Sequence, residues 1–271
     1  MPTRMRHRKR NKYFLYQQSV QSPKENADFL AATFQELRGR PVHAVREDFC
    51  GSFLQAFEWV RRDPANMAIA IDLDSEVLAY GSKHQLTRLD RSARKRLSVR
   101  RQNVLAVTRP AVDLAFAYNY SFYALKRWDQ LHAYFRASHR SLKRDGILLL
   151  EMVGGPGFIE KLKETRKVRI RGGGWFIVIW HQKSFDPIVR EGQYAIHFKF
   201  PDGSWMKDAF TYDWRVWTVP EVRTALELAG FAKSVVYWEQ TDRRGRGTEE
   251  YKIRESAEND WAWTCYVVGL K

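Results

Sequence analysis

The chain has 271 residues, with 46 Lys+Arg against 31 Asp+Glu for a formal net charge of +15, and 44% of it is hydrophobic. That apolar share excludes global disorder, and no apolar run approaches the roughly 20 residues of a membrane-spanning helix. Two distant cysteines, Cys50 and Cys265, exclude a disulfide framework and a Cys-rich zinc site and suit a reducing compartment, so a cytoplasmic protein is expected.

The first twelve residues carry Arg4, Arg6, Arg8, Lys9, Arg10 and Lys12 with no acid and no apolar segment after them, which reads as a mobile basic tail and not as a secretory signal. Phe29, Leu30, Phe34 and Leu37 recur at helical spacing, and Gly39 to Pro41 stops that helix. A short apolar run at 42–45 leads into Arg46-Glu47-Asp48-Phe49-Cys50-Gly51-Ser52, and an apolar-rich helix follows over 53–60 with Ser52 placed to cap it. Residues 67–71 predict a buried strand ending in Asp72-Leu73-Asp74, with Asp74 as the cap of the next helix. Further strands are predicted at 97–101, ending at Gln102-Asn103, and at 113–118, ending at Asn119-Tyr120. Trp128, Leu131, Phe135, Ser138 and Leu142 mark a helix that closes near Gly146, before an apolar strand over 147–153.

Strand and helix alternating in this way predict an α/β fold with a parallel sheet covered on both faces. After Gly172-Gly173-Gly174 the period changes, and three antiparallel strands are expected at 175–185, 194–200 and 204–214. In the middle one, Tyr194, Ile196, Phe198 and Phe200 share a face that must be buried, and Ala195, His197 and Lys199 share the other. A helix at 220–229 and strands at 231–238 and 263–268 complete the chain, with 242–258 as a polar loop.

In an open parallel sheet, ligands bind beyond the carboxyl ends of the strands. Glu47, Asp72, Asn103 and Asn119 fall at four such ends, so they offer polar side chains to one crevice. Gly51 allows close approach of a ligand to the backbone. The helix start after it provides free N–H groups for an anion. An acid at the end of the second strand suits ribose hydroxyls. A dinucleotide and S-adenosylmethionine both fit such a crevice. The dinucleotide pattern G-x-G-x-x-G is absent, since Phe49 and Phe53 flank a lone Gly51, which favours S-adenosylmethionine.

The run Val45-Arg46-Glu47-Asp48-Phe49-Cys50-Gly51-Ser52, followed by Ala70-Ile71-Asp72-Leu73-Asp74, resembles the class I S-adenosylmethionine-dependent methyltransferases. It is most similar to a bacterial branch whose first loop reads E-D-F-C-G-S/T. The resemblance extends through Tyr16-Gln17-Gln18-Ser19-Val20-Gln21, Asn119-Tyr120-Ser121-Phe122, Gly154-Gly155-Pro156, Phe200-Pro201-Asp202-Gly203 and Tyr212-Asp213-Trp214-Arg215. It implies a Rossmann-like, doubly wound, mostly parallel seven-stranded sheet with an antiparallel insertion after the fifth strand. The core is expected at 41–153 and 218–271, a tail and helical cap at 1–40, and the insertion at 154–217 as a substrate lid or dimer contact.

By the same resemblance Glu47 and Gly51 line the methionine end, Asp72 binds the ribose hydroxyls and Asn103-Val104 flanks the adenine; Cys50 and Leu73 are also expected at the cofactor. Asn119 and Tyr120 border the transferred methyl, and Tyr16 and Tyr120 pack near the sulfonium. His197 is the expected proton acceptor and Arg215 the anchor of an acidic acceptor group. No metal or covalent nucleophile is expected. The acceptor is expected to be a small molecule. Basic stretches at 1–12, 88–101 and 161–171 keep open an RNA or protein methyltransferase and a non-catalytic nucleic-acid-binding protein. A homodimer is also compatible with the sequence, and no membrane association is expected.

Overall fold

The computed structural model describes residues 10–170, 173–242 and 246–271. Residues 1–9 of the basic tail therefore lie outside the described residues. Arg10 is docked: it pairs with Asp202, donates to Ser204 Oγ at 3.1 Å and lies over the Phe200 ring. Asn11 then accepts from the first backbone N–H groups of α1 (Lys12–Ser19), so the end of the tail is a capped helix start.

Helix α2 (Pro23–Arg38) ends where Gly39 takes φ +69°, the left-handed stop its sequence predicts. The alternating region follows as β1 (Ala44–Asp48), α3 (Leu54–Arg62), β2 (Met67–Asp72), α4 (Ser75–His84), α5 (Arg91–Lys95), β3 (Leu97–Arg101), β4 (Val112–Ala117), α6 (Trp128–Ser141) and β5 (Leu142–Gly154). Asp74 caps α4 by accepting from the Glu76 and Val77 N–H groups. Ser52 does not cap α3. The helix starts from Phe53 with φ +48°, and Ser52 Oγ accepts from Gln17 Nε2 at 2.7 Å.

The insertion is β6 (Leu162–Arg169), β7 (Trp175–Asp186), β8 (Glu191–Lys199) and β9 (Trp205–Arg215), a four-stranded antiparallel sheet in that order. Its first strand occupies the basic stretch at 161–171; as an edge strand it leaves most side chains exposed, so no apolar alternation marks it. After α7 (Val219–Leu228), begun by a Thr218–Glu221 capping box, come β10 (Lys233–Thr241), β11 (Gly247–Ile253) and β12 (Trp263–Leu270).

The main sheet runs β3-β2-β1-β4-β5-β12-β10-β11, with the first five strands parallel and β12 antiparallel to both β5 and β10. It has eight strands, not seven. The added one, β11, is an edge strand exposed on nearly every residue within the stretch that reads as a polar loop. On β2, Ile69 and Ile71 face one core with α6 and α7, while Ala68 and Ala70 face another with α2 and α3. Burial on both faces gives the continuous apolar runs of the parallel strands. A third core joins α1 to the insertion, where Leu15 packs with Phe176, Ile196 and Phe198. Each such side chain contributes roughly 1.5–3 kcal/mol, so α1 is held between the main sheet and the insertion.

Candidate active site

The strand order reverses between β1 and β4, so the crevice of the fold opens at their carboxyl ends. Alternation along β1 separates its three charged residues. Arg46 and Asp48 point to α6 and form a fully buried ion pair at 2.8 Å, with Ser138 and Tyr134 bound to them at 2.8 Å each. Glu47 points the other way and accepts the Ala56 N–H of α3 at 2.8 Å. Burial, together with the nearby Asp72 and Asp48, raises its carboxyl to about 8.

The loop after β1 then takes left-handed backbone at alternate residues: φ is +53° at Phe49, +52° at Gly51 and +48° at Phe53. This is the backbone a glycine loop provides, built here with phenylalanine at two of its three positions. Each costs roughly 1–2 kcal/mol, and local contacts offset it. The Phe53 ring is fully buried against α4, where a Cβ on Gly81 would lie 2.4 Å from its Cε1. Phe49 packs edge-on to Tyr134 at 5.6 Å. Asp72 ties the loop down: one carboxylate oxygen accepts the Gly51 N–H at 2.7 Å and the other the Asp74 N–H at 2.9 Å.

A cavity of about 250 Å³ lies over this loop, with walls from Glu47, Gly51, Asp72, Tyr118 and Asn119. Gln55 also lines it, buried, with neither side-chain amide atom hydrogen-bonded. A second cavity of about 680 Å³ sits between the crevice, α1 and the insertion. Tyr16, Asn119 and Tyr212 line both, so the two cavities meet there, where the Tyr16 and Tyr212 hydroxyls lie near each other. Phe158, Trp180, Tyr212 and Trp214 make the larger cavity aromatic, with Tyr120, itself left-handed at φ +56°, edge-on to Trp214. A cavity of about 830 Å³ beyond β5, lined by Arg223, Trp238 and Arg254, shares no residue with either.

Solved structures match this fold along almost the whole chain. DesVI of Streptomyces venezuelae superposes with a TM-score of 0.70 at 14% identity, covering 98% of this chain and 99% of the other. The amino pentose methyltransferase CalS10 of Micromonospora echinaspora, bound to S-adenosylmethionine, gives 0.67 at 16% identity over 95% of each chain. The sugar N-methyltransferase KedS8 of a Streptoalloteichus species gives 0.65 at 14% identity, over 96% and 92%. This chain has the fold of these methyltransferases. No protein-family model matches the sequence, and no curated protein does.

Within that methyltransferase fold, the structure gathers Tyr16, Glu47, Cys50, Gly51, Asp72 and Asn119 around the small cavity and places Tyr120 in the aromatic one. Three residues expected beside the nucleoside are outside both walls. Leu73 is exposed, Val104 is buried in the core, and the Asn103 side chain accepts the Leu105 N–H at 2.9 Å in its own turn. Cys50 is a buried free thiol whose backbone N–H donates to the Ile71 carbonyl, and burial pushes the thiol up.

His197 and Arg215, expected at the acceptor, line neither cavity. The alternation of β8 is as expected, but Ile196 and Phe198 face α1, so His197 points to the opposite side of the insertion. There its Nδ1 accepts the Asp208 N–H at 2.8 Å and its Nε2 meets His181 Nδ1 at 3.1 Å. Arg215 stacks on Trp217 at 3.8 Å and pairs with Glu221 at 3.1 Å, bracing the start of α7. The basic stretches are partly committed to the chain's own backbone: Arg96 binds the Asp63 and Asn66 carbonyls, Arg101 the Leu73 carbonyl, and Arg166 the Ser19 carbonyl. No helix among the described residues is long and apolar enough to cross a membrane.

Two residues that the sequence reading passes over belong to the site. Gln55 is one. The other is Glu151, in the aromatic cavity, whose Oε2 accepts the Asn119 N–H at 2.6 Å. The signal for it is a single carboxylate in the apolar run Leu148-Leu149-Leu150-Glu151-Met152-Val153.

Proposed function

We propose that the chain is an S-adenosylmethionine-dependent methyltransferase that acts on a small-molecule acceptor. The observation that carries this reading is the junction at Tyr16, Asn119 and Tyr212, where the small cavity over the β1 loop opens into a larger aromatic one. The near end-to-end likeness to CalS10, KedS8 and DesVI supports it. So does the position of both cavities at the switch point of the sheet.

The residues present fit the cofactor. The buried Gln55 amide, free at both atoms, suits the ammonium and carboxylate of the methionine end. Asp72 spends one lone pair of each oxygen on backbone N–H groups and keeps the others for vicinal ribose hydroxyls. Glu47, raised to about 8, holds its proton at neutral pH and presents a donor as well as acceptors. Leu73 and Asn103 lie beyond the small cavity, and would hold the adenine at the more open surface there. When bound, S-adenosylmethionine supplies an electrophilic methyl carbon on a positively charged sulfur. Tyr16 and Tyr212 turn oxygen atoms and ring faces toward that charge at the junction. Helix α1 and the insertion, joined by their shared core, act as the lid that keeps the junction dry and holds the acceptor in line.

The enclosed aromatic cavity favours a small acceptor over RNA or protein. Titration calorimetry with S-adenosylmethionine tests the reading. The wild-type protein is expected to bind one equivalent, and Asp72→Ala to bind at least about tenfold more weakly, since each lost charge-assisted hydrogen bond is worth about 1.5–3 kcal/mol. Equal affinity in the two proteins would remove Asp72 from the ribose site, and no binding to wild type would remove the function.

A further inference from the structure

Glu151 lines the aromatic cavity of this strongly basic chain. Among the described residues it forms no ion pair, and the Asn119 N–H is the one hydrogen bond to its carboxylate. It projects from the middle of the main sheet, with Tyr266 of β12 as its cross-strand partner. The titratable groups that face it come from every neighbouring element: Tyr16 of α1, Tyr118 and Tyr120 after β4, Glu239 of β10, Tyr251 of β11, and Cys265 and Tyr266 of β12. None of these is a cation. Arg166, at the cavity wall, is turned to the Ser19 carbonyl. Burial and the Glu239 carboxylate raise Glu151 to about 7.

An uncompensated carboxylate that lines one cavity with the rings of Tyr120, Trp180, Tyr212 and Trp214, and with a second acid, Glu164, is a site for an organic cation. Its place is also specific. Asn119, which holds the carboxylate through its N–H, lines both cavities, so Glu151 stands one residue from the junction. We propose that Glu151 receives the ammonium group of an amine acceptor and takes its proton, so that the methyl group is transferred to nitrogen. This rests on the methyltransferase reading and narrows its acceptor class.

The step balances. The ammonium N–H bond breaks, its proton goes to the Glu151 carboxylate, and its electron pair stays on nitrogen. That pair forms the new C–N bond as the carbon–sulfur bond of S-adenosylmethionine breaks, leaving its electrons on sulfur. The products are a methylated ammonium, a neutral thioether and a protonated Glu151, which returns its proton to water. Proton affinity separates nitrogen from oxygen as acceptor. An alkylammonium with a pKa of ~10 lies within a few units of such a base, whereas a hydroxyl near the ~16 of water does not.

The test compares two probes of equal shape, benzylammonium and benzyl alcohol, by calorimetry on the whole chain with and without S-adenosylhomocysteine. Benzylammonium is expected to bind about tenfold or more tightly than the alcohol. Glu151→Gln should abolish that preference while leaving S-adenosylmethionine affinity within about twofold of wild type. Equal binding of the probes, no binding of benzylammonium at millimolar concentration, or a preference that survives in Glu151→Gln would overturn the proposal. If Glu151→Gln does not fold, Glu151→Asp keeps the charge and is expected to retain a weakened preference. Loss of all preference in a folded Glu151→Asp would count against it. The methyltransferase reading fails separately: it falls if S-adenosylmethionine does not bind, whatever the probes do on the unliganded protein.

Discussion

The two cavities that meet at Tyr16, Asn119 and Tyr212 are built by different means. The smaller is built on a loop: three left-handed residues in five (Phe49, Gly51 and Phe53), an Asp72 carboxylate that accepts two N–H groups, and the first turn of α3. The larger is made by side chains of α1, β5 and the insertion, with Val178 and Ile196 from the core that α1 shares with the insertion and Val153, Phe158 and Trp214 from the main one. Each holds one carboxylate that accepts a single backbone N–H, Glu47 from Ala56 and Glu151 from Asn119, and burial raises them to about 8 and about 7. The difference lies in what surrounds them. Glu47 sits beside the acids Asp72 and Asp48, and Glu151 beside Glu239, in a cavity that it shares with the rings of Trp180 and Trp214. A site built on a fixed loop suits a ligand of fixed shape, and an aromatic site with two acids on its wall, Glu151 and Glu164, leaves acceptor choice to side chains.

The largest effect that would break this contrast is on turnover. Glu151→Gln is expected to lower the rate with an amine acceptor about 10²-fold or more, in the range of general base catalysis. In wild type, kcat/KM should fall as the pH drops through about 7, where the carboxyl takes up its proton, and this limb should disappear in the variant. A pH–rate profile that keeps the limb in Glu151→Gln would assign it to another group.

The loop-built cavity is probed through Gly81. A Cβ there meets the Phe53 ring at 2.4 Å and the Ser52 carbonyl at 2.6 Å, so Gly81→Ala is expected to cost about 1–3 kcal/mol in a urea melt. If the Phe53 ring is the main obstacle, Phe53→Gly should lessen the penalty of Gly81→Ala in a double-mutant cycle. Additive effects would mean that the ring and the glycine are not coupled.

A smaller effect concerns stability against pH. The Glu47 carboxyl is raised in the folded chain, so the folded state binds more protons than the unfolded one between about 4.5 and about 8. The stability it contributes is full below that window and is lost as the pH rises through it. Glu151 has the same sign, so Glu47→Gln should flatten part of the decline and not all of it. An unchanged slope would show that Glu47 titrates normally. The smallest effect is expected on the far face of the insertion. His197→Ala should leave both cofactor affinity and turnover within about twofold, and a large loss of turnover would return His197 to the acceptor site.

These outcomes also separate what the residues announce from what only packing decides. Asp74 as a cap, Gly39 as a stop and Asp72 at a strand end all follow from local rules, and each stands where those rules put it. The left-handed Phe49 and Phe53 do not, because their residue type argues for the opposite backbone. Strands β6 and β11 escaped notice as exposed edges without alternation. For His197 the alternation of β8 was legible, but which face α1 would cover was not, since that depends on contacts between residues more than 150 positions apart. Glu151 illustrates the same limit: a lone acid in an apolar run says that it is enclosed, and the rings that share its cavity come from distant strands.

The measurement that tests the account most directly is a crystal structure of the chain with S-adenosylhomocysteine. The account predicts density over the Phe49–Phe53 loop, with the ribose on Asp72 and the sulfur at the junction of Tyr16, Asn119 and Tyr212, opening toward Glu151. Density in the arginine-lined cavity beyond β5, or a sulfur turned away from that junction, would contradict it.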